Sequence, residues 1–374
     1  MLASELDFDL PEHFIAQTPV EPRDAAKLLV FRRDSGEISH RFVRDLPDLL
    51  RPTDLLVFND TRVLRARLRG FKPSGGRVEA LLLKEVTKNE WQALLKPSAR
   101  LQVGASIEFV SGDGNLRVAA LLQKRENETW TLQFSPPEER DIRDFLPVLG
   151  EVPLPPYIRE MAPEARYQTT FSRAKTVGNP LDSAAAPTAG LHFTPQLLQR
   201  LEESGIDSAF LTLAVGAGTF RPVQSETIEQ HRMHSEEFEI SASTSQKINA
   251  QKASGGRVVA VGTTSVRALE SAMDASGLVA PGETATQIFI RPGHTFRGVD
   301  ALITNFHQPR STLLALVAAF IEAGTQNGTQ AETGPNKNGE NGSKSGLATI
   351  RELYSCAMEN SYRFHSFGDA MFLE

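Results

Sequence analysis

Polar residues collect at the ends of apolar runs in this sequence, and five such clusters are equipped for chemistry. The first, Asn59-Asp60-Thr61-Arg62, closes the run DLLVF. Asp60 there suits holding a hydroxyl or orienting a base, and Arg62 suits a carboxylate or phosphate; an Asx-turn capping a strand accounts for the same residues. Arg65, Arg67 and Arg69 follow at strand alternation, which puts three guanidinium groups on one face as an RNA footprint or a solvated edge. The second cluster, Ala186 to Pro195, leads through small residues, Thr188 and Gly190 among them, to His192. Small side chains let a ligand approach the backbone, and His192 is either an acid-base group or a structural histidine. The third, Val215-Gly216-Ala217-Gly218-Thr219-Phe220, is a glycine turn after a strand that suits a nucleotide but lacks the full GxGxxG spacing. Downstream, His234 with Glu236 or Glu237 suits proton transfer, while His231 and His234 do not complete a metal-ligand set. The fourth, Gly262 to Arg267, places Thr263 and Thr264 at a helix start, where open N–H groups take a carboxylate or phosphate. In the fifth, Asn305 and Gln308 suit a base edge, Phe306 a stacking role or the core, and Arg310 a charge.

The elements that must position these clusters are legible from pattern. Lys27–Arg32 and Asp54–Asn59 read as strands, and a buried strand ending in polar residues delivers them to a site at its carboxyl end. From about Leu68 to Pro153 the texture changes. VEALLLKEV, EWQALLK, ASIEFVSG, LRVAALLQK and TWTLQF are short strand-like runs spaced by turn residues, which suggests a small β-barrel or sandwich. After residue 160 strands and helices alternate: TPQLLQRLEESG, IDSAFLTLAVGAGTF, SASTSQKINAQKAS, GRVVAVGTTSVRALESAM, the expected strand TQIFIRPGH, and DALITNFHQPRSTLLALVAAF. The expectation is an α/β main domain with a mixed sheet (1–68 and 154–374), interrupted by an inserted small β-barrel domain (69–153). Residues 325–346 hold no aliphatic or aromatic side chain larger than alanine and read as a disordered insert.

Composition bounds the class. The 374 residues are 40% hydrophobic and 23% charged, enough for a sizeable core without staples. The net charge of −6 does not suit a sequence-blind nucleic-acid binder, although a local basic patch still binds RNA. The single cysteine, Cys356, rules out an internal disulfide and suits a reducing compartment. No secretory signal is visible, and the most apolar stretch, STLLALVAAFIEAG, is too short to span a bilayer. A cytoplasmic protein without a membrane span is expected.

NDTRVLRARL, PTAGLHFT, VGAGTFRPV, HRMHSEEFEI, VGTTSVRALE, ITNFHQPRSTLL and YRFHSFGDAMFL resemble, in order, the signature blocks of the queuosine ribosyltransferase-isomerases. DFDLPEHFIAQTPVEPRDAAKLLV and GEVPLPPYI also match, so the resemblance covers nearly the whole chain. It implies an enzyme that transfers and isomerises the ribosyl part of S-adenosylmethionine onto 7-aminomethyl-7-deazaguanine at the tRNA wobble position. Epoxyqueuosine-tRNA, adenine and methionine would be the products. It implies no metal and no permanently bound cofactor, S-adenosylmethionine being a co-substrate, and no obligate protein partner beside tRNA. Under it, His192 or His234 would move protons, with Asp60 placing a ribose hydroxyl or the substrate amine. Thr61, Arg62, Thr188, Gly190, Gly216, Gly218 and Thr219 would line the substrate; Thr263, Thr264 and Arg267 would hold a carboxylate or phosphate. Asn305, Phe306 and His307 would meet the nucleobase, and Arg65, Arg67 and Arg69 the tRNA. The sequence departs from the pattern at Ala214, where the family usually has His, in the stretch AKTVGNPL before Asp182, and in the 325–346 insert. The rival readings are an S-adenosylmethionine-dependent tRNA methyltransferase and a non-catalytic tRNA-binding relative.

Overall fold

The computed structural model describes residues 1–159, 164–173, 181–216, 223–328 and 345–374. The chain opens a sheet with β1 (Lys27–Phe31), β2 (Ile38–Phe42) and β3 (Asp54–Asn59), with the one-turn helix α1 (Leu46–Leu49) before β3. All six residues of β3 are buried, as a strand covered on both faces requires.

It then leaves for a second sheet: β4 (Arg67–Phe71), β5 (Arg77–Thr87), β6 (Glu90–Lys96), β7 (Ser106–Val110), β8 (Arg117–Glu126) and β9 (Thr129–Ser135), followed by a short helix α2 (Leu146–Leu149) and β10 (Gly150–Glu151). Here burial alternates residue by residue, one face inward and one outward. The strands pair antiparallel in the order β10-β4-β5-β6-β9-β8-β7, and a β4–β7 pairing closes six of them into a barrel around Trp91, Trp130, Phe109 and Phe134. Gly70 stands where the seam closes. A β-carbon there would meet the Glu108 carbonyl at 2.7 Å and the Phe109 ring at 2.8 Å, so only glycine lets β4 and β7 come together.

The return adds α3 (Pro195–Glu203), β11 (Asp207–Leu213), β12 (Glu236–Ile240), α4 (Ala242–Ala253), β13 (Arg257–Val261), α5 (Thr263–Ala272), β14 (Gly282–Thr286), β15 (Ala301–Asn305), α6 (Thr312–Gly328), α7 (Gly346–Glu359) and β16 (Ala370–Leu373). Thr194 Oγ1 accepts the Leu197 N–H and caps the start of α3, and Ser241 does the same for α4 through Thr244. The full sheet runs β14-β12-β11-β3-β13-β15-β16-β1-β2. The expected mixed α/β sheet with a small barrel is what forms.

Two expectations need adjustment. The strand expected over Thr286–His294 is loop; the strand lies earlier, at Gly282–Thr286, an exposed edge paired with β12. Ile288, Phe289 and Ile290 pack on the core without sheet pairing, which gave the apolar run its strand-like look. Of the segment expected as disordered, 325–328 continue α6 and Ser345 caps α7; residues 329–344 lie outside the described residues. Among the described residues no helix is long and apolar enough to cross a membrane.

Candidate active site

β11, β3, β13 and β15 are parallel, so their carboxyl ends line one edge of the sheet. β12 and β16 run the other way and bring their starts to the same edge. Asn59, Ala214, Gly262 and Asn305 therefore stand in a row, flanked by Glu236 on one side and the 364–369 loop on the other.

Asn59 is a structural member of this row. Its Oδ1 accepts the Leu213 and Thr61 N–H groups at 3.0 and 3.1 Å, and its Nδ2 donates to the Leu213 carbonyl at 3.0 Å and to Thr264 Oγ1 at 3.4 Å. One amide thus extends the β3–β11 ladder beyond the backbone. Thr61 is equally occupied: its hydroxyl bonds the Leu181 carbonyl at 2.9 Å and Ser183 Oγ at 2.6 Å. Asp60 next to it is different. It accepts Thr212 Oγ1 at 2.6 Å and the Arg173 Nε at 3.0 and 3.1 Å, while Arg173 reaches on to Glu239 at 2.9 Å. Burial pushes the Asp60 carboxyl up, and the Thr212 hydroxyl and the Arg173 guanidinium pull against that rise.

Beside Asp60 the barrel faces the sheet edge across a cleft of about 660 Å³. Lys84, Gln92 and the Glu126–Thr129 turn line it from the barrel; Asp182, Ala214, Gly216, His234, Glu236 and Glu237 line it from the sheet. Two ion pairs span the two bodies, Lys84 with Glu237 and Arg143 with Asp182 (3.3 Å), and Arg143 is also held within the barrel by Glu85 (2.7 Å). Burial raises the Asp182 carboxyl despite Arg143 and Arg62 nearby. Gly216 has open space where a side chain would stand, so the backbone borders the cleft directly. Four of the five lining carboxylates already have a cation: Glu126 with Lys124, Asp182 with Arg143, Glu236 with Arg267 and Glu237 with Lys84.

At the middle of the row Gly262 takes φ +91° and starts α5. Thr263, Thr264 and Arg267 follow, all buried. Arg267 ion-pairs with Glu236 at the cleft and donates to the Ile288 carbonyl at 3.3 Å; burial lowers its guanidinium to about 10. At the far end, Asn305 Oδ1 accepts Thr188 Oγ1 at 2.9 Å and its Nδ2 donates to the His365 carbonyl at 3.2 Å. His307 meets Thr304 Oγ1 at 3.1 Å and is held neutral by burial, its imidazole lowered to about 3.

The edge thus gathers Asp60, Thr61, Arg62, Thr188, Gly216, His234, Thr263, Thr264, Arg267, Asn305 and His307. Other expected residues serve the fold. Phe306 is fully buried against Tyr354, Tyr362 and Phe364, leaving no face for a base. His192 is buried with Nδ1 3.1 Å from the Ala189 carbonyl and Nε2 2.9 Å from the Gly368 carbonyl, so both nitrogens are taken by main chain. Gly190 admits the Phe171 ring, 2.8 Å from where its β-carbon would sit. Arg69 is bidentate to Glu151 at 2.8 and 2.9 Å, Arg67 lies 3.6 Å from Glu79, and Arg65 bonds the Pro147 carbonyl. Gly218 and Thr219 lie outside the described residues. Sequence reading missed Arg173, Thr212, Glu239, Asp182 and Lys84, which reach the site from separate segments; for Asp182 its place beside the departure from the family pattern was the available signal. Among the described residues no group of three or more His, Cys, Asp or Glu is placed to hold a metal ion.

A family model described as "Queuosine biosynthesis protein" matches residues 3–331. A Symbiobacterium thermophilum protein named S-adenosylmethionine:tRNA ribosyltransferase-isomerase is 46% identical over the full length of both chains. A Thermus thermophilus protein of the same name is 45% identical over 98% of each. The crystal structure of S-adenosylmethionine tRNA ribosyltransferase from Thermotoga maritima matches 99% of this chain and 100% of its own, at 32% identity and a TM-score of 0.51.

Proposed function

The chain belongs to the queuosine biosynthesis family, whose members bear the name S-adenosylmethionine:tRNA ribosyltransferase-isomerase, and from that premise we propose its reaction and the residues that carry it. The enzyme transfers and isomerises the ribosyl group of S-adenosylmethionine onto 7-aminomethyl-7-deazaguanine at the tRNA wobble position. Epoxyqueuosine-tRNA forms, and adenine and methionine leave. The observation that carries the reading is the cleft of about 660 Å³ at the row of strand ends, of a size for a nucleoside and lined by polar side chains from barrel and sheet.

The chemistry sets three demands. The sulfonium acidifies the neighbouring C5′ protons, so a positioned base starts the reaction; His234, exposed on the cleft wall, is within the right space. The ribose hydroxyls or the attacking amine need an acceptor, which Asp60 supplies, held in place by Arg173 and Thr212. The methionine carboxylate needs N–H donors, and the start of α5 at Thr263 and Thr264 offers them. The tRNA backbone lies over the barrel side, where the exposed Arg69 would exchange its Glu151 partner for a phosphate while Arg65 and Arg67 hold the strand. S-adenosylmethionine acts as co-substrate with no resident cofactor, and the protein works in the cytoplasm. Residues 69–153 act as an inserted domain between 1–68 and 154–374.

The test is incubation with S-adenosylmethionine and an anticodon stem-loop carrying 7-aminomethyl-7-deazaguanine. Free adenine, free methionine and an RNA heavier by the rearranged ribosyl group are expected. S-adenosylhomocysteine with a methylated RNA would replace this reading with methyl transfer, and RNA binding with S-adenosylmethionine untouched would replace it with a non-catalytic role.

A further inference from the structure

The loop entering β16 holds a histidine under unusual constraint. His365 takes φ +70°, a region few side chains with a β-carbon adopt, and is only 6% exposed. Its backbone is fastened on both sides: its N–H donates to the Phe306 carbonyl at 3.1 Å, and its carbonyl accepts Asn305 Nδ2. Its ring leans on Tyr157 at 4.4 Å between centroids, and Tyr157 in turn bonds Ser366 Oγ at 2.7 Å. Yet neither ring nitrogen has a hydrogen-bond partner among the described residues. A buried donor and acceptor left open destabilise the fold, and an arrangement like this held in place by surrounding contacts suits a ligand.

The ring borders a small cavity, about 40 Å³, with Tyr157, Thr188, Asn305, His307 and Gln308. No lining residue carries a fixed charge, since burial keeps both imidazoles neutral. A phosphate, a carboxylate or a sulfonium would find no counter-charge here. A flat neutral group presenting a donor or an acceptor finds the open His365 nitrogens beside the Tyr157 ring. The cavity lies at the β15 end of the strand-end row, with the larger cleft at the β11–β12 end.

We propose that this pocket reads the hydrogen-bonding edge of a purine-type base and that His365 is its specificity-determining residue. The proposal rests on the ribosyl-transfer reading, which supplies two such bases: the adenine of S-adenosylmethionine and the deazaguanine of the RNA. The test compares the full chain with His365→Phe, which keeps a ring without nitrogens, and His365→Asn, which tolerates the left-handed backbone and keeps a donor and an acceptor. S-adenosylmethionine and the deazaguanine stem-loop are titrated separately by calorimetry. His365→Phe is expected to weaken one of the two about tenfold and the other less than about twofold, with His365→Asn close to wild type. The titration that weakens identifies the base. Unchanged binding of both, or equal loss of both, overturns the proposal. Should His365→Phe fail to fold, His365→Gly, unstrained at that φ, takes its place with the same expectations. Wild-type protein that binds both substrates and releases no adenine sinks the ribosyl-transfer reading; wild-type turnover alongside an unaffected Phe variant sinks the subsite alone.

Discussion

Asn59 and Asp60 are neighbours at the end of β3, and their surroundings give them opposite duties. The amide of Asn59 is consumed largely by main chain, whereas Asp60 holds a carboxylate at the strand end through Arg173 and Thr212. Asp60→Asn is expected to preserve the melting temperature and lower kcat by roughly 10²-fold in the adenine-release assay, the usual scale for losing a positioned acid-base or orienting group. Asp60 was legible in the sequence because a carboxylate ends an apolar strand. Arg173 was not, because it belongs to a segment without periodicity. Phe306 and His192 misled for one reason: a polar neighbourhood in sequence does not fix which way a side chain turns, and both turn inward. The buried imidazoles also set a pH response. His307 and His365 fall from an ordinary 6.5 to about 3 and about 4 through burial. Below about pH 6.5 the unfolded chain takes up protons that the folded chain refuses, so stability falls as pH drops toward those lowered values. The slope is about 1.4 kcal/mol per pH unit for each such imidazole in mid-window. Urea melts between about pH 7 and about pH 5 should show this fall, with a shallower slope in His365→Asn; a flat stability profile would contradict the neutral buried pair.

The strands divide into those whose pattern announced them and those that pairing alone creates. β3, β13 and the barrel strands declare themselves through continuous or alternating apolar residues. β14 is GETAT, polar and exposed, and exists because β12 offers it an edge. The antiparallel entry of β12 and β16 was likewise invisible, since direction is a property of tertiary pairing and not of local composition. That direction puts Glu236 and His365 at the site edge. The barrel seam is the most demanding element contact. Gly70→Ala is expected to destabilise by about 1–3 kcal/mol, because the added methyl meets backbone and a packed ring. Thermal melts should report it, while kcat for folded protein stays near wild type, since Gly70 does not line the cleft.

At the scale of the molecule, the cleft exists because the barrel is held against the sheet edge by few links. Arg143, with 10% of its side chain exposed, serves Glu85 and Asp182 together and lies over the Trp91 ring. Arg143→Leu leaves two largely buried carboxylates without their cation, a loss on the order of 3 kcal/mol or more. Urea titration should register that loss at neutral pH, with partial recovery under mildly acidic conditions as Asp182 takes a proton more readily. A variant as stable as wild type would mean the barrel is docked by other contacts.

Among the described residues the hairpin of β1 and β2 joins the rest of the sheet through β16 alone, Lys27–Phe31 lying between Ile38–Phe42 and Ala370–Leu373. A ribosome making this chain therefore releases an early hairpin that must wait, unpaired along one edge, until residues 370–373 emerge. The same strand seats the 364–369 loop against β15, so the His365 corner forms only once β16 has paired. Nascent or C-terminally clipped chains would carry a formed barrel beside an open, aggregation-prone half-sheet.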